Sequence, residues 1–260
     1  MTRRRHGTTR SGDSRGRCSA VELPGRDTSP AAGEGTLRHT AVRRTDPVVV
    51  TLEPKPSGGH RRMATLSRRD AQRWAAIARR VEPAVRPLLG PEAVGPAGMG
   101  RAGLRAALRR ARGAAARLAA RSPFVVRSDI SDFYGSVMPG ALLAALRTTA
   151  RGSDAAAAAA MLEGWGSDGY AGLPVGPPGS AVLAEAVLAQ VDEELRPLPF
   201  LRWADDYLIA VPSERAGAEV IERLDVALER IGLRRSLPKT AVGAGSEFRW
   251  IGTSFPPTNA

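Results

Sequence analysis

Cysteine is nearly absent from this 260-residue chain. Cys18 stands alone, which excludes intramolecular disulfides and cysteine-built metal sites. Histidine is almost as scarce. His6, His39 and His60 all fall in the first 60 residues, so nothing beyond them can hold a histidine-based triad or zinc site. No apolar run reaches the roughly 18 residues of a transmembrane helix. The arginines behind Met1 lack the apolar stretch of a secretory signal. A cytoplasmic protein with no membrane partner is therefore expected. Lysine is rare too: of 38 basic residues, only Lys55 and Lys239 are lysines.

What is present is enough apolar sequence for a packed core, 43%, and a net charge of +12 that is unevenly spread. Residues 1–68 carry 14 basic against 6 acidic side chains, and residues 69–121 carry 12 against 3. Residues 122–260 reverse the balance, with 12 basic against 17 acidic. A basic front half beside an acidic back half suits a polyanionic partner and metal ions; it equally suits a plain solvated surface.

The texture divides the chain in three. Residues 1–65 are rich in Arg, Gly, Ser, Thr and Pro and read as a basic disordered tail, with one short strand between Pro47 and Pro54. Residues 66–121 read as helical. Ser67 is placed to cap a helix reaching Arg79 to Val81, broken after that by Pro83, Gly90 and the 95–100 stretch. A second helix, about 101–120, sets Arg105, Arg109, Arg112 and Arg117 against an Ala/Leu face. Residues 122–260 then alternate strand and helix: a strand from Phe124 into Asp129, helices near 139–149, 154–162 and 179–195, and a hairpin of Phe200–Trp203 and Tyr207–Val211. An amphipathic helix from Ser213 to Ile231 and two short strands follow. That order predicts an α+β fold, a split βαββαβ (ferredoxin-like) sheet with helices on one face.

In that topology the first strand and the central hairpin lie side by side, so Asp129, Asp205 and Asp206 meet at one edge. Clustered carboxylates repel unless a cation neutralises them. Such hard oxygen ligands suit Mg²⁺ or Mn²⁺, and two ions can activate a 3′-oxygen and stabilise leaving pyrophosphate. Taken singly, each acid also fits ordinary turn or capping chemistry.

Five segments, in order, resemble the palm motifs of bacterial reverse transcriptases. They are Asp129-Ile130-Ser131-Asp132-Phe133-Tyr134, the Gly172-Leu173-Pro174-Val175-Gly176 loop with Leu183-Ala184-Glu185, Arg202-Trp203-Ala204-Asp205-Asp206-Tyr207, Leu237-Pro238-Lys239-Thr240, and Trp250-Ile251-Gly252. The flavour resembles retron-like and phage-defence enzymes. The resemblance implies a polymerase palm behind a short helical fingers-like region (66–121), catalysing RNA-directed DNA synthesis. It implies two Mg²⁺ or Mn²⁺ ions bridged by Asp129 and Asp205, with Asp206 as an outer ligand and the Ile130 carbonyl as a backbone ligand. Asp132 and Phe133 would meet the triphosphate through backbone amides, and Tyr134 would exclude a ribose 2′-hydroxyl. Gly172, Pro174 and Gly176 would pack against template and incoming base. Lys239 would donate a proton to leaving pyrophosphate, which arginine cannot do. The implied partners are an RNA template, a DNA or RNA primer and deoxynucleoside triphosphates.

Departures from the family pattern are Val175, where many members have glutamine, and Trp203, where tyrosine is commoner. The chain also stops eight residues after Gly252 with no evident thumb. The last point leaves three expectations open: a truncated product, a protein or RNA partner that supplies the thumb function, or weak activity. The alternatives are an idle palm that binds nucleic acid in a larger, possibly antiviral, assembly, and a cyclase-like nucleotidyl transferase.

Overall fold

The computed structural model describes residues 45–55, 58–94, 101–147 and 152–255. Most of the basic tail, with Cys18, His6 and His39, lies outside them. Among the described residues no helix is long and apolar enough to cross a membrane.

The centre is a four-stranded antiparallel sheet. It is built from β3 (Phe124–Asp129), β4 (Phe200–Trp203), β5 (Asp206–Val211) and β6 (Ala241–Gly243), in the spatial order β4-β5-β3-β6. Because Val125 and Val126 are both fully buried, β3 has an apolar residue on each face. One face, with Val126, Ile209 and Val211, packs with α1 (Arg68–Val85), α6 (Ser180–Leu195) and α7 (Glu214–Glu229) in the main core. The opposite face, with Val125, Leu201 and Leu208, packs under α2 (Arg101–Ala120) and Trp250 in a second core. Helices thus cover both faces, which corrects the expected one-sided arrangement. The reason lies in the adjacent valines, which leave neither face polar.

The helices follow from local signals. Ser67 accepts from the Asp70 N–H and Ser213 from the Ala216 N–H, so each opens its helix as expected. α1 runs through Pro83 to Val85 instead of ending before it. In the last turn a proline removes a single backbone hydrogen bond, which the packing of Val81 and Val85 outweighs. α1 is locked to α6 where the Trp74 indole N–H donates to the Ser180 hydroxyl at 2.9 Å. At Gly179, in a left-handed conformation at φ 98°, any side chain would strike Ala78. α3 (Phe133–Ser136), α4 (Pro139–Arg147) and α5 (Gly152–Ser167) complete the layer below.

The tail also needs correction. Val49–Pro54 (β1) pairs antiparallel with His60–Thr65 (β2), a strand the polar sequence does not announce. The hairpin is tied to the domain, because the Ala64 N–H donates to the Val175 carbonyl at 2.8 Å. Two short strands, β7 (Arg249–Trp250) and β8 (Thr253–Ser254), form a last hairpin. Arg112 of α2 donates twice to the Ile251 carbonyl at its turn.

Candidate active site

β3 and β5 pair in a register that sets Asp129 directly opposite Asp206. Asp205 lies in the two-residue turn between β4 and β5, and its carbonyl accepts from the Ile130 N–H at 3.2 Å. All three acids therefore share one sheet edge, where sequence reasoning puts them. By the alternation of β3, Asp129 and Asp206 face the side that α2 covers.

The electrostatics are those of crowded anions. Burial, then Asp129 and Asp205, push the Asp206 carboxyl from 3.8 up to about 6. Burial, then Asp129, raise Asp205 as well. Asp206 Oδ1 is buried without a hydrogen-bond partner, and the Arg127 guanidinium stands 3.8 Å away. Asp129 is met by the Lys239 ammonium, which donates to its Oδ1 at 2.8 Å. That bond, more than opposing burial, raises the lysine's own affinity for its proton. Among the described residues no three acids form a ready-made metal cage. The donor set still fits a divalent cation: oxygen-only ligands, an orphaned acceptor, and a lysine ammonium seated where positive charge is wanted.

The other expected site residues gather around these acids. Asp132 adopts φ 40°, ψ 50° ahead of α3 and is exposed, while the Phe133 ring is buried. Tyr134 stacks edge-to-face on Phe133 at 5.3 Å. Burial, then Glu185 and Asp205, push its phenol up to about 12, so it stays neutral beside the acids. Gly172 is buried at φ 81°, where a Cβ would strike the Tyr134 carbonyl and the Gly135 backbone. Gly176, at φ 108°, faces Met63 of β2. The chain's own segments thus crowd these two glycines, a nearer cause than the expected template. Pro174, between them, is buried.

Residues 54–255 match the family described as reverse transcriptase (RNA-dependent DNA polymerase). The chain belongs to the reverse transcriptase family. No curated protein matches it. Among solved structures it is similar in fold to telomerase from Candida tropicalis in complex with a TWJ fragment of telomeric RNA, at TM-score 0.55 and 11% identity over 81% of this chain and 43% of that one. The apo Candida tropicalis telomerase gives TM-score 0.53 and 11% identity over 85% and 46%. The Candida albicans telomerase with a TWJ fragment of telomeric RNA gives 0.52 and 11% over 78% and 42%. This reverse transcriptase chain spans less than half the length of those chains.

Sequence reasoning missed two groups around the reverse transcriptase site. Arg61 on β2 lies close enough to Asp205 and Tyr134 to oppose the rise of both their pKa values, and Arg62 sits over the Tyr170 ring at 5.7 Å. The second group is a wholly buried ion cluster behind the acid hairpin. Arg202, with no exposed surface, donates to both oxygens of Asp192 at 2.6–3.0 Å, to Glu185 at 2.8 Å and to the Ala204 carbonyl at 3.1 Å. The Tyr207 hydroxyl donates to Asp192 at 3.2 Å. An arginine inside an apolar strand was the one signal that could have pointed to it.

The crowding makes a stability prediction. Below about pH 4 Asp206 is protonated in both folded and unfolded chains and contributes no penalty. Between about pH 4 and 6 the unfolded chain gives up this proton while the folded chain, where the charge is disfavoured, still holds it, so the folded state loses stability across that window and no further above it. Asp206→Asn, neutral throughout, should therefore melt higher than wild type above about pH 6, by roughly 1–3 kcal/mol, with the gain vanishing toward pH 4. Melting curves of the metal-free proteins across that range check it; an equal gain at every pH would rule this cause out.

Proposed function

We propose that this chain is an RNA-directed DNA polymerase that extends a primer with deoxynucleotides by two-metal nucleotidyl transfer. The observation that carries the reading is the meeting of Asp129, Asp205 and Asp206 at one edge, against their own repulsion, in a chain of this family. Asp129 and Asp205 would hold two Mg²⁺ or Mn²⁺ ions, with Asp206 assisting and the Ile130 carbonyl as a further oxygen. Bound there, the ions supply an activated 3′-oxygen and neutralise charge at the leaving pyrophosphate.

The remaining work falls to the chain's own groups. The N–H groups of Asp132 and Phe133, at the start of the short α3, receive the triphosphate, and Arg61 adds positive charge beside it. The Tyr134 ring lies against the sugar and leaves no room for a 2′-hydroxyl. The 172–176 loop, held by Tyr134 on one side and β2 on the other, positions the templating base. Lys239, whose ammonium already reaches Asp129, protonates the departing pyrophosphate. The strand order β4-β5-β3-β6 supports a split βαββαβ palm. The spelling of the motifs supports a place near the bacterial, retron-like enzymes.

The test is primer extension on RNA and DNA templates with Mg²⁺ or Mn²⁺. Deoxynucleotide incorporation on RNA that chelator abolishes is expected. A folded chain that binds the primer–template and extends it in neither metal would favour the idle-palm alternative. Lys239→Met should slow single-turnover incorporation by about 10²-fold without weakening primer–template binding. Lys239→Arg should not restore the rate, since arginine keeps its proton; full rescue would remove the proton-donor role.

A further inference from the structure

α2 carries an unusual charge pattern that nothing among the described residues compensates. Its 20 residues include no aspartate or glutamate. The other long helices, α1, α5, α6 and α7, all carry acids. Arg105, Arg109, Arg110 and Arg117 of α2, and Arg121 just beyond it, are exposed, and none pairs with an acid among the described residues. At 100° per residue these side chains form two rows. Arg105 and Arg109 flank one side, Arg110, Arg117 and Arg121 the other, and the small residues Ala106 and Gly113 lie between. The opposite face, through Ala107, Ala111, Ala115 and Ala119, is buried on the sheet. Like charges one turn apart destabilise a helix by a few tenths of a kcal/mol per pair, so the arrangement has a cost that nothing among the described residues offsets.

The position of the helix matters as much as its charge. α2 lies on the side of the sheet that Asp129 and Asp206 face. Its C-terminal end joins the start of β3, at the far end from Asp129. The chain leading toward it pairs with Arg202 beside the acid hairpin, through Ala93 and Val94. The two rows therefore extend over about 24 Å, from Arg105 to Arg121, leading away from the acid edge.

We propose that α2 is a docking surface for the phosphodiester backbone of a nucleic-acid duplex, with the two arginine rows reaching phosphates on either side of a smooth Ala/Gly strip. Guanidinium groups pair with phosphate oxygens through two parallel hydrogen bonds, and a duplex carries about one negative charge per 1.7 Å of its axis, so a line of arginines meets a line of phosphates. Small residues between the rows let the backbones approach. A membrane surface is a poor match, since the apolar face of α2 is already spent on the sheet. The contact carries no sequence information and needs no catalysis, so it stands apart from the polymerase reading.

The experiment measures binding of the full chain to a fluorescent RNA–DNA hybrid duplex across a salt series, in an Asp205→Asn background that removes turnover. Replacing Arg105, Arg109, Arg110 and Arg117 together by glutamine should weaken binding at least 10-fold near 100 mM salt. It should also flatten the slope of log affinity against log salt by about 2–4, since each released phosphate contact is worth about 0.9. The matching lysine variant should keep most of the slope. Unchanged affinity and slope in a folded glutamine variant, or a parent chain that does not bind the hybrid, would overturn the proposal. Should the fourfold variant not fold, Arg105/Arg109 and Arg110/Arg117 are replaced in pairs, each expected to remove about half the effect; no change in either pair overturns it equally. A fall in salt slope in a chain whose wild type extends no primer would sink the polymerase reading and leave the docking surface standing.

Discussion

Asp205→Asn is expected to lower the rate of primer extension by at least about 10³-fold while leaving the fold intact. Losing a carboxylate proposed to bridge the two metals would remove several kcal/mol of stabilisation at the reacting phosphoryl group, and about 4 kcal/mol corresponds to that factor. The backbone has no reason to move. Asp205 is held through its carbonyl, which accepts from the Ile130 N–H, and asparagine keeps that bond. Its carboxyl is raised by burial and by Asp129, so neutralising it relieves repulsion and should hold or increase the melting temperature at neutral pH. Single-turnover extension beside a thermal melt separates the two effects. A variant retaining a tenth of the wild-type rate would remove Asp205 from the metal-binding set. A variant that loses activity and stability together would make its role structural.

The second large effect concerns Arg202. Arg202→Ala should destabilise the chain by about 3–5 kcal/mol, because Asp192 and Glu185 would stay buried without their cation. Burial works against the charge of Arg202, yet the two carboxylates outweigh it and hold the guanidinium firmly protonated. Removing the fork also frees the Ala204 carbonyl, and Ala204 sits at φ 53°, a left-handed conformation that costs alanine about 1–2 kcal/mol. The turn holding Asp205 should then relax. For a domain of this size the loss corresponds to about 10 °C or more. Arg202→Lys keeps the charge but not the fork, and should fall between. A melting temperature within about 2 °C of wild type would show that the cluster is dispensable.

Much of this was legible in the sequence because it is written locally. Ser213 and the apolar stripe of Val220, Leu224 and Leu228 define α7, and a serine cap with a buried stripe does the same for α1. The acids were legible for a related reason: Asp129 ends one strand, and Asp205 and Asp206 sit at the turn between two others, whose apolar runs fix their direction. Other features depend on partners far away in sequence. Arg202 is explained only by Asp192 and Glu185, 10 and 17 residues back on another element. Lys239 reaches Asp129 across 110 residues. β2 was invisible because its side chains are mostly exposed, so no alternation of apolar and polar residues marks it. The second core was missed because two adjacent valines read as one strand without saying that both faces are covered.

Gly172 has a mechanical consequence. Its backbone lies against Tyr134 and Gly135 with no room for a methyl group, and the Leu173 N–H donates to the Tyr134 carbonyl at 2.7 Å. The segment that carries Tyr134, proposed to lie against the sugar, and the loop proposed to position the templating base therefore behave as a single lever with one shared fulcrum. A nucleotide that displaces the ring must also tilt the loop, and a mispaired template that lifts the loop must also shift the ring. Discrimination between sugars and discrimination between bases would then be felt at the same joint.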